Sequence, residues 1–274
     1  MRVLFMYPGE KFKALTFSFD DGVKQDVQLI DIFNRYNLKG TFNLNSGIPR
    51  FKELSKEEYR KIYEGHEVAC HGEFHLTCDQ IPRDLLTREV WRDREIFEDI
   101  FGGVITGLAY PNGSFSPRVM EILDACGIEY ARTTVATGRI RNAPEDFLAW
   151  HPTCHYRDAM DLVDGFLNDQ RPVQQLFYIW GHSYEFDRGV KDWQYMEDLA
   201  AKLANRDDIW YATNIEVCRY LKAVRSLKFS ADGRKVYNPS CQTVWFRVGW
   251  EGVTGAHTVA PGETFELPEP PETL

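Results

Sequence analysis

The stretch ALTFSFDDG, residues 14–22, alternates apolar and polar side chains and then sets two carboxylates, Asp20 and Asp21, before Gly22. Such alternation predicts a strand over Ala14–Phe19. Asp before Gly is common in turns, so a turn former or a helix cap is the plainest account of Asp20. That account explains neither why two carboxylates stand side by side nor what else in the chain they meet.

Working outward, short apolar runs alternate with helical patterns. Further strands are expected at Thr41–Asn45, Glu67–Cys70, Val104–Tyr110, Glu129–Thr133, Phe147–His151, Leu176–Trp180 and Ile209–Thr213. In DVQLIDIFNRYNLKG, Leu29, Ile32, Phe33 and Tyr36 share one helical face and Gly40 ends the segment. Ser55 is a good cap for SKEEYRKIYEG. Other helices are expected near Arg83–Ile100, Ser116–Cys126, Ala159–Asn168, Lys191–Ala204 and Asn214–Val224. Strand–helix alternation implies a mainly parallel sheet, and seven or eight such units favour a barrel over an open sheet. After Arg225 the texture changes to short β-rich runs separated by turn signals such as Asp232-Gly233 and Pro261-Gly262. The expected division is a barrel over 1–224 and a small antiparallel β appendage over 225–274, ending in a loose tail, PEPPETL.

The 274 residues are 43% hydrophobic and 14% aromatic, enough for a sizeable core. A net charge of −9 without a Lys/Arg-rich run or basic stripe makes nucleic acid and anionic membranes poor partners. No apolar run approaches the roughly 20 residues of a membrane span. The apolar patch of MRVLFMYPGEKFKAL is too short for a signal-peptide core, and the six scattered cysteines form no CxxC pair. Both point to a cytoplasmic protein with reduced thiols. Oligomeric state is not legible, and a homodimer stays open.

Polar residues recur where strands end. Asp20 and Asp21 follow the first strand, His71 and His75 the third, AYPNG the fourth; Arg132 ends the fifth, and His182 follows the seventh. In a parallel barrel these ends open on one face, the face that carries active sites. His71 and His75 are spaced i, i+4, which on a helical turn or a tight loop turns both imidazoles to one side. Two surface histidines would be an equal reading of that pair alone. With Asp21 beside them they make a His₂Asp set, whose open position suits catalysis, and mixed N/O ligation suits Zn²⁺, with Co²⁺, Ni²⁺ or Mn²⁺ as alternatives.

TFSFDDG, GHEVACHGEFH, the AYPNG turn and the late YIWGH resemble, in order and spacing, the polysaccharide deacetylases (carbohydrate esterase family four, with a NodB homology domain) over about residues 10–220. The resemblance implies a distorted (β/α)7 barrel. It implies Asp21, His71 and His75 as ligands of a divalent metal, Asp20 as catalytic base and His182 as catalytic acid. The implied activity is metal-dependent removal of N-acetyl groups from an N-acetylated sugar or oligosaccharide. A backbone N–H near Tyr110 and Pro111 would hold the oxyanion.

The chain departs from the family pattern in two places. Where an arginine usually precedes the third-motif turn and orders the base, Ala109 stands in LAYPNG. Arg132 could replace it by pairing with Asp20, or could form an ordinary surface ion pair. The fourth motif, an Asp/Trp signature that tunes the catalytic histidine, is matched only weakly by Asp146 and Trp150. HPTCHYRD, with His151 and His155, has no simple family counterpart; it could line the groove, and packing or a rim contact is favoured over a second metal site with Cys154. Trp180, Tyr110, Phe74 and Trp193 could shape a sugar platform, although single aromatics more often belong to the core. Two rival readings remain. One is hydrolysis of a non-sugar amide, a cyclic ureide or imide, or a formamide. The other is a non-catalytic, metal-containing carbohydrate-binding protein, which the retained Asp20 and His182 oppose.

Overall fold

The computed structural model describes residues 2–48, 54–140, 143–189, 191–250 and 253–268. Its elements follow in the order β1 (Arg2–Met6), β2 (Lys13–Asp20), α1 (Asp26–Arg35), β3 (Gly40–Leu44), α2 (Lys56–Ile62), β4 (Glu67–Cys70) and α3 (Arg83–Phe101). Next come β5 (Gly107–Ala109), α4 (Pro117–Ala125), β6 (Tyr130–Arg132), β7 (Cys154–His155), α5 (Tyr156–Asn168), β8 (Gln175–His182) and α6 (Trp193–Leu203). The chain ends with β9 (Ile209–Tyr211), α7 (Asn214–Ser226), β10 (Lys228–Phe229), β11 (Lys235–Tyr237), β12 (Val244–Trp250), β13 (Val253–Val259) and β14 (Thr264–Glu266).

Strand β2 is buried along its whole length although it alternates in polarity. Leu15, Phe17 and Phe19 join the core shared with the outer helices, where Phe17 meets Phe33 at 4.8 Å between ring centroids. The alternate set, Thr16, Ser18 and Asp20, faces a polar interior. Thr16 donates to Asn214 (2.8 Å), and Asn43 Nδ2 donates to Ser18 (2.8 Å). Period-two alternation here separates helix-packed core from barrel lumen rather than core from water.

Seven parallel strands run in the order β6-β5-β4-β3-β2-β8-β7, and β9 pairs with the first half of β2. Register aligns their C-terminal ends: Asp20 lies opposite both Asn43 and His182, Leu44 opposite Cys70, and Ala109 opposite Arg132. The curl is bridged where Trp150 pairs with Arg132 and Cys154–His155 pairs with β8. This is the expected distorted (β/α)7 barrel. One strand is displaced: Phe147–His151 forms a 3-10 turn over Phe147–Ala149, capped by Asp146, and only Trp150 makes a bridge. Pro152 has no N–H to continue a ladder, and pairing resumes at β7.

The N-terminal ends of the strands are closed by α7. Thr213 and Glu216 form a capping box, the Asn214 N–H donates to Thr41, and the Ile215 N–H donates to Glu67 Oε2. Glu67 also accepts from Tyr130 and Thr41, far from the strand ends that carry the site.

The appendage has two three-stranded sheets, β1-β12-β13 and β10-β11-β14. Residues Arg2–Met6, expected within the barrel segment 1–224, pair antiparallel with β12 instead. Val244, Phe246 and Val248 share one buried cluster with Tyr7, Val217 and Tyr220, so the appendage packs on the α7 end of the barrel. Of PEPPETL only Pro268 is among the described residues. Six cysteines are free, five of them buried. Among the described residues no helix is long and apolar enough to cross a membrane.

Candidate active site

The Asp pair is aimed by an abrupt backbone turn. Asp20 ends β2 with its side chain in the lumen. Asp21 then takes φ 81° and Gly22 φ 59°, the left-handed region in which side chains are strained. The turn brings the Asp21 carboxylate to the same side as Asp20, although neighbouring strand residues face apart. A Cβ on Gly22 would lie 2.8 Å from Leu44 Cδ2, so glycine is required twice over.

His71 and His75 sit on a tight loop, not a helix, with Gly72 at φ 78° and His75 at φ 57°. Helix α3 holds that loop from behind. The His71 N–H donates to Asp93 Oδ2 (3.0 Å), Ser46 N–H to Asp93 Oδ1 (2.8 Å) and Phe74 N–H to Glu89 Oε2 (2.9 Å). Asn45 donates to the carbonyls of His71 and Gly72. Burial pushes Asp93 up to about 7 against these donors.

The His71 Nδ1–H donates to the Ala109 carbonyl (2.8 Å), which leaves Nε2 as the open lone pair. Nε2 of His71 and of His75 stand 3.8 and 3.7 Å from Asp21 Oδ1. All three ligand atoms lie within 4.8 Å of one another. Burial pushes His71 down to about 4, so its imidazole is neutral at pH 7. Two imidazole nitrogens and a carboxylate oxygen at this spacing, with the His71 tautomer fixed by Ala109, fit a divalent ion.

Asp20 is buried and is clasped by Arg132, which reaches both carboxylate oxygens, and by Asn43 Nδ2 at Oδ1 (2.8 Å). Burial would raise its pKa, but Arg132, followed by His71 and His182, lowers it on balance. Arg132 is fully buried and lies 4.6 Å above the Trp180 ring, so it is no surface ion pair. Nε2 of His71 and of His182 approach Asp20 Oδ2 at 4.0 and 3.9 Å. Burial would lower the His182 pKa, yet Glu185 and Asp20 raise it.

Other expected placements change. The Tyr110 N–H donates to the Arg132 carbonyl (3.0 Å) and its hydroxyl to Leu148 (2.7 Å), while Pro111 carries no N–H. Neither offers an oxyanion donor; Pro111 instead packs 3.5 Å from the position a Cβ on Gly72 would take. Trp150 packs between Tyr130, Phe147 and Tyr178, so Asp146 and Trp150 are not partners of His182. Of the expected sugar platform, Tyr110 is buried, Trp193 bonds Asp187, Trp180 underlies Arg132, and Phe74 is exposed beside His75. His151 bonds Thr133 (2.6 Å). The sequence reading missed Asn43, Asn45, Glu89, Asp93 and Glu185. Glu89 and Asp93 could have been found as acids on the apolar face of α3, in line with Leu86, Val90 and Phe97.

Residues 8–131 match the family model described as polysaccharide deacetylase. No curated protein matches the chain. Among solved structures, a Mycobacterium smegmatis protein assigned to the polysaccharide deacetylases is 18% identical with a TM-score of 0.61, over 82% of this chain and 95% of that one. The Xyl-CE4 domain of a multidomain xylanase from the hindgut metagenome of Trinervitermes trinervoides is 15% identical with a TM-score of 0.54, over 77% and 92%. The peptidoglycan deacetylase PdaC from Bacillus subtilis is 19% identical with a TM-score of 0.52, over 78% and 93%.

Proposed function

We propose that this chain, whose residues 8–131 match the polysaccharide deacetylase family model, removes N-acetyl groups from an N-acetylated sugar or oligosaccharide. One observation carries the reading: Asp20 is buried and held ionised by Arg132 while its Oδ2 faces the Nε2 atoms of His71 and His182. A divalent metal held by Asp21, His71 and His75, by preference zinc, would polarise the amide carbonyl and acidify water.

The chain's own groups move the protons. Asp20 takes the proton of the attacking water at Oδ2, which faces His71 and His182 and accepts from Arg132 alone, whereas Oδ1 accepts from both Arg132 and Asn43. Arg132 and Trp180 hold that carboxylate in place. An amine leaves poorly unless protonated, and His182, whose pKa its carboxylate neighbours raise, donates from Nε2 across the site. The free cysteines accord with a cytoplasmic location and hence with a soluble oligosaccharide, sugar conjugate or precursor.

A second reading, hydrolysis of a non-sugar amide, cyclic ureide, imide or formamide, is favoured by Ala109. The base is ordered by Arg132 of β6 rather than from the third motif, and the buried Ala109 offers the site only its carbonyl, which accepts from His71. A screen of zinc-loaded protein separates the two. Acetate from N-acetylated sugars supports the first; formate or ring opening without acetate supports the second. Asp20→Asn is expected to keep metal and lose turnover. Loss of metal, or normal turnover, would overturn the role given to Asp20.

A further inference from the structure

Glu185 lies three residues beyond His182, in the 3-10 turn Ser183–Arg188, and the proposed reaction gives it no part. Three side chains that can carry positive charge stand within 4 Å of its carboxylate. His182 Nδ1 stands 3.5 Å from Oε1, Arg157 Nη2 2.9 Å from the same oxygen, and His155 Nε2 3.1 Å from Oε2. His155 caps α5, and its Nδ1 accepts the Arg157 N–H, which puts the ring proton on Nε2, toward Glu185. Gly181 allows the close approach of this loop: a Cβ there would lie 2.4 Å from Tyr156 Cδ1 and 3.5 Å from His155 Nε2.

His155, His182 and Glu185 also have the spacing of a cation site. Two features oppose that use. The His155 Nε2 lone pair is taken by a proton, and Arg157 already neutralises the carboxylate.

We infer that Glu185 is the positioning residue for His182, and that His155 and Arg157 hold Glu185 in that place. The inference rests on the reading of His182 as proton donor. A carboxylate 3.5 Å from Nδ1 favours the tautomer that carries its proton there, with Nε2 toward Asp20, and it stabilises the imidazolium. Nε2 gives its proton to the departing nitrogen; Glu185 keeps its charge and takes no proton. The titratable and charged groups that face His182 are Asp20, Asp21, Tyr184 and Glu185, with His155 and Arg157 acting through Glu185.

The test compares an N-acetylated sugar with an aryl acetate, whose phenolate leaves without protonation. Glu185→Gln should lower kcat on the amide about 10–100-fold, leave KM within about twofold and leave the aryl acetate within about threefold. Glu185→Asp should recover part of the loss, and His155→Gln should show a weaker form of it. Independently of turnover, ¹⁵N NMR of the imidazoles should find His182 with a fixed Nδ1–H in the parent protein and a tautomer mixture in Glu185→Gln. Equal losses on both substrates, or an unchanged His182 tautomer, would overturn the inference. So would a second equivalent of zinc bound by the parent and lost in Glu185→Gln, which would make the cluster a cation site. If the parent turns over neither substrate, the hydrolase reading fails and the NMR result alone decides the place of Glu185.

Discussion

Asp20 and Arg132 are both buried, and each makes the other tolerable. Removing one partner of such a pair leaves an uncompensated charge in a low-dielectric interior, which costs about 3–5 kcal/mol. Arg132→Met is therefore expected to destabilise the protein by that amount in urea titrations and to lower turnover at least about 100-fold. Arg132→Lys keeps the charge but not the two-pronged grip, and should recover stability better than turnover. His75 is half-buried and at the mouth, so His75→Ala should abolish tight zinc binding in calorimetry while leaving the urea midpoint of the metal-free protein nearly unchanged. The Asp pair, both loop histidines and Arg132 were legible because each stands where a predicted strand ends. Asn43, Asn45 and Asp93 were not, because they act on neighbouring polar groups from other strands or another helix, and no local spacing marks such contacts.

At the scale of elements, helix α3 does more than cover the sheet. Asp93 ties the backbone of His71 to that of Ser46, so α3 fixes the loop that carries two candidate ligands. Asp93→Ala should weaken zinc binding about 10–100-fold, measured by competition with a chelator, while circular dichroism stays unchanged. Intact binding in that variant would show that the loop holds itself. Strand β4 matched its expected bounds because its apolar run is short and flanked by a glycine and a loop. The strand expected at Phe147–His151 failed because aromatic enrichment looks the same in a 3-10 turn packed against the lumen as in a ladder.

For the whole molecule, the appendage is not an independent tail. It takes its first strand from the N-terminus and shares a core with α7. Removal of residues 228–274 is expected to expose Tyr7, Val217 and Tyr220 and to abolish a cooperative thermal transition. A truncated protein that melts sharply would make the barrel self-sufficient. The texture change near Arg225 was legible; the recruitment of Arg2–Met6 was not, since pairing across nearly the whole chain leaves no local trace. At the closed end, burial raises Glu67 from 4.5 to about 7. The folded state therefore binds its proton more tightly than the unfolded chain, and stability is lost as pH rises from about 4.5 through 7. Glu67→Gln should gain on the parent by up to about 3 kcal/mol across that window, read as the difference between paired urea titrations. A difference that stays flat with pH would mean that the donors around Glu67 outweigh its burial.

The polar lumen has a consequence for assembly. A parallel strand slipped by two residues would keep its aromatic side chains toward the helices, so the outer core would hardly notice. Inside, Thr16 would lose Asn214, Ser18 would lose Asn43, and Asp20 would miss Arg132, each leaving a dry, unmatched dipole or charge. The interior thus acts as a proofreading template: only the alignment that seals the lumen also brings the Asp pair to the mouth. Amide hydrogen exchange from β2, β3 and β8 should accordingly follow a single opening event rather than three.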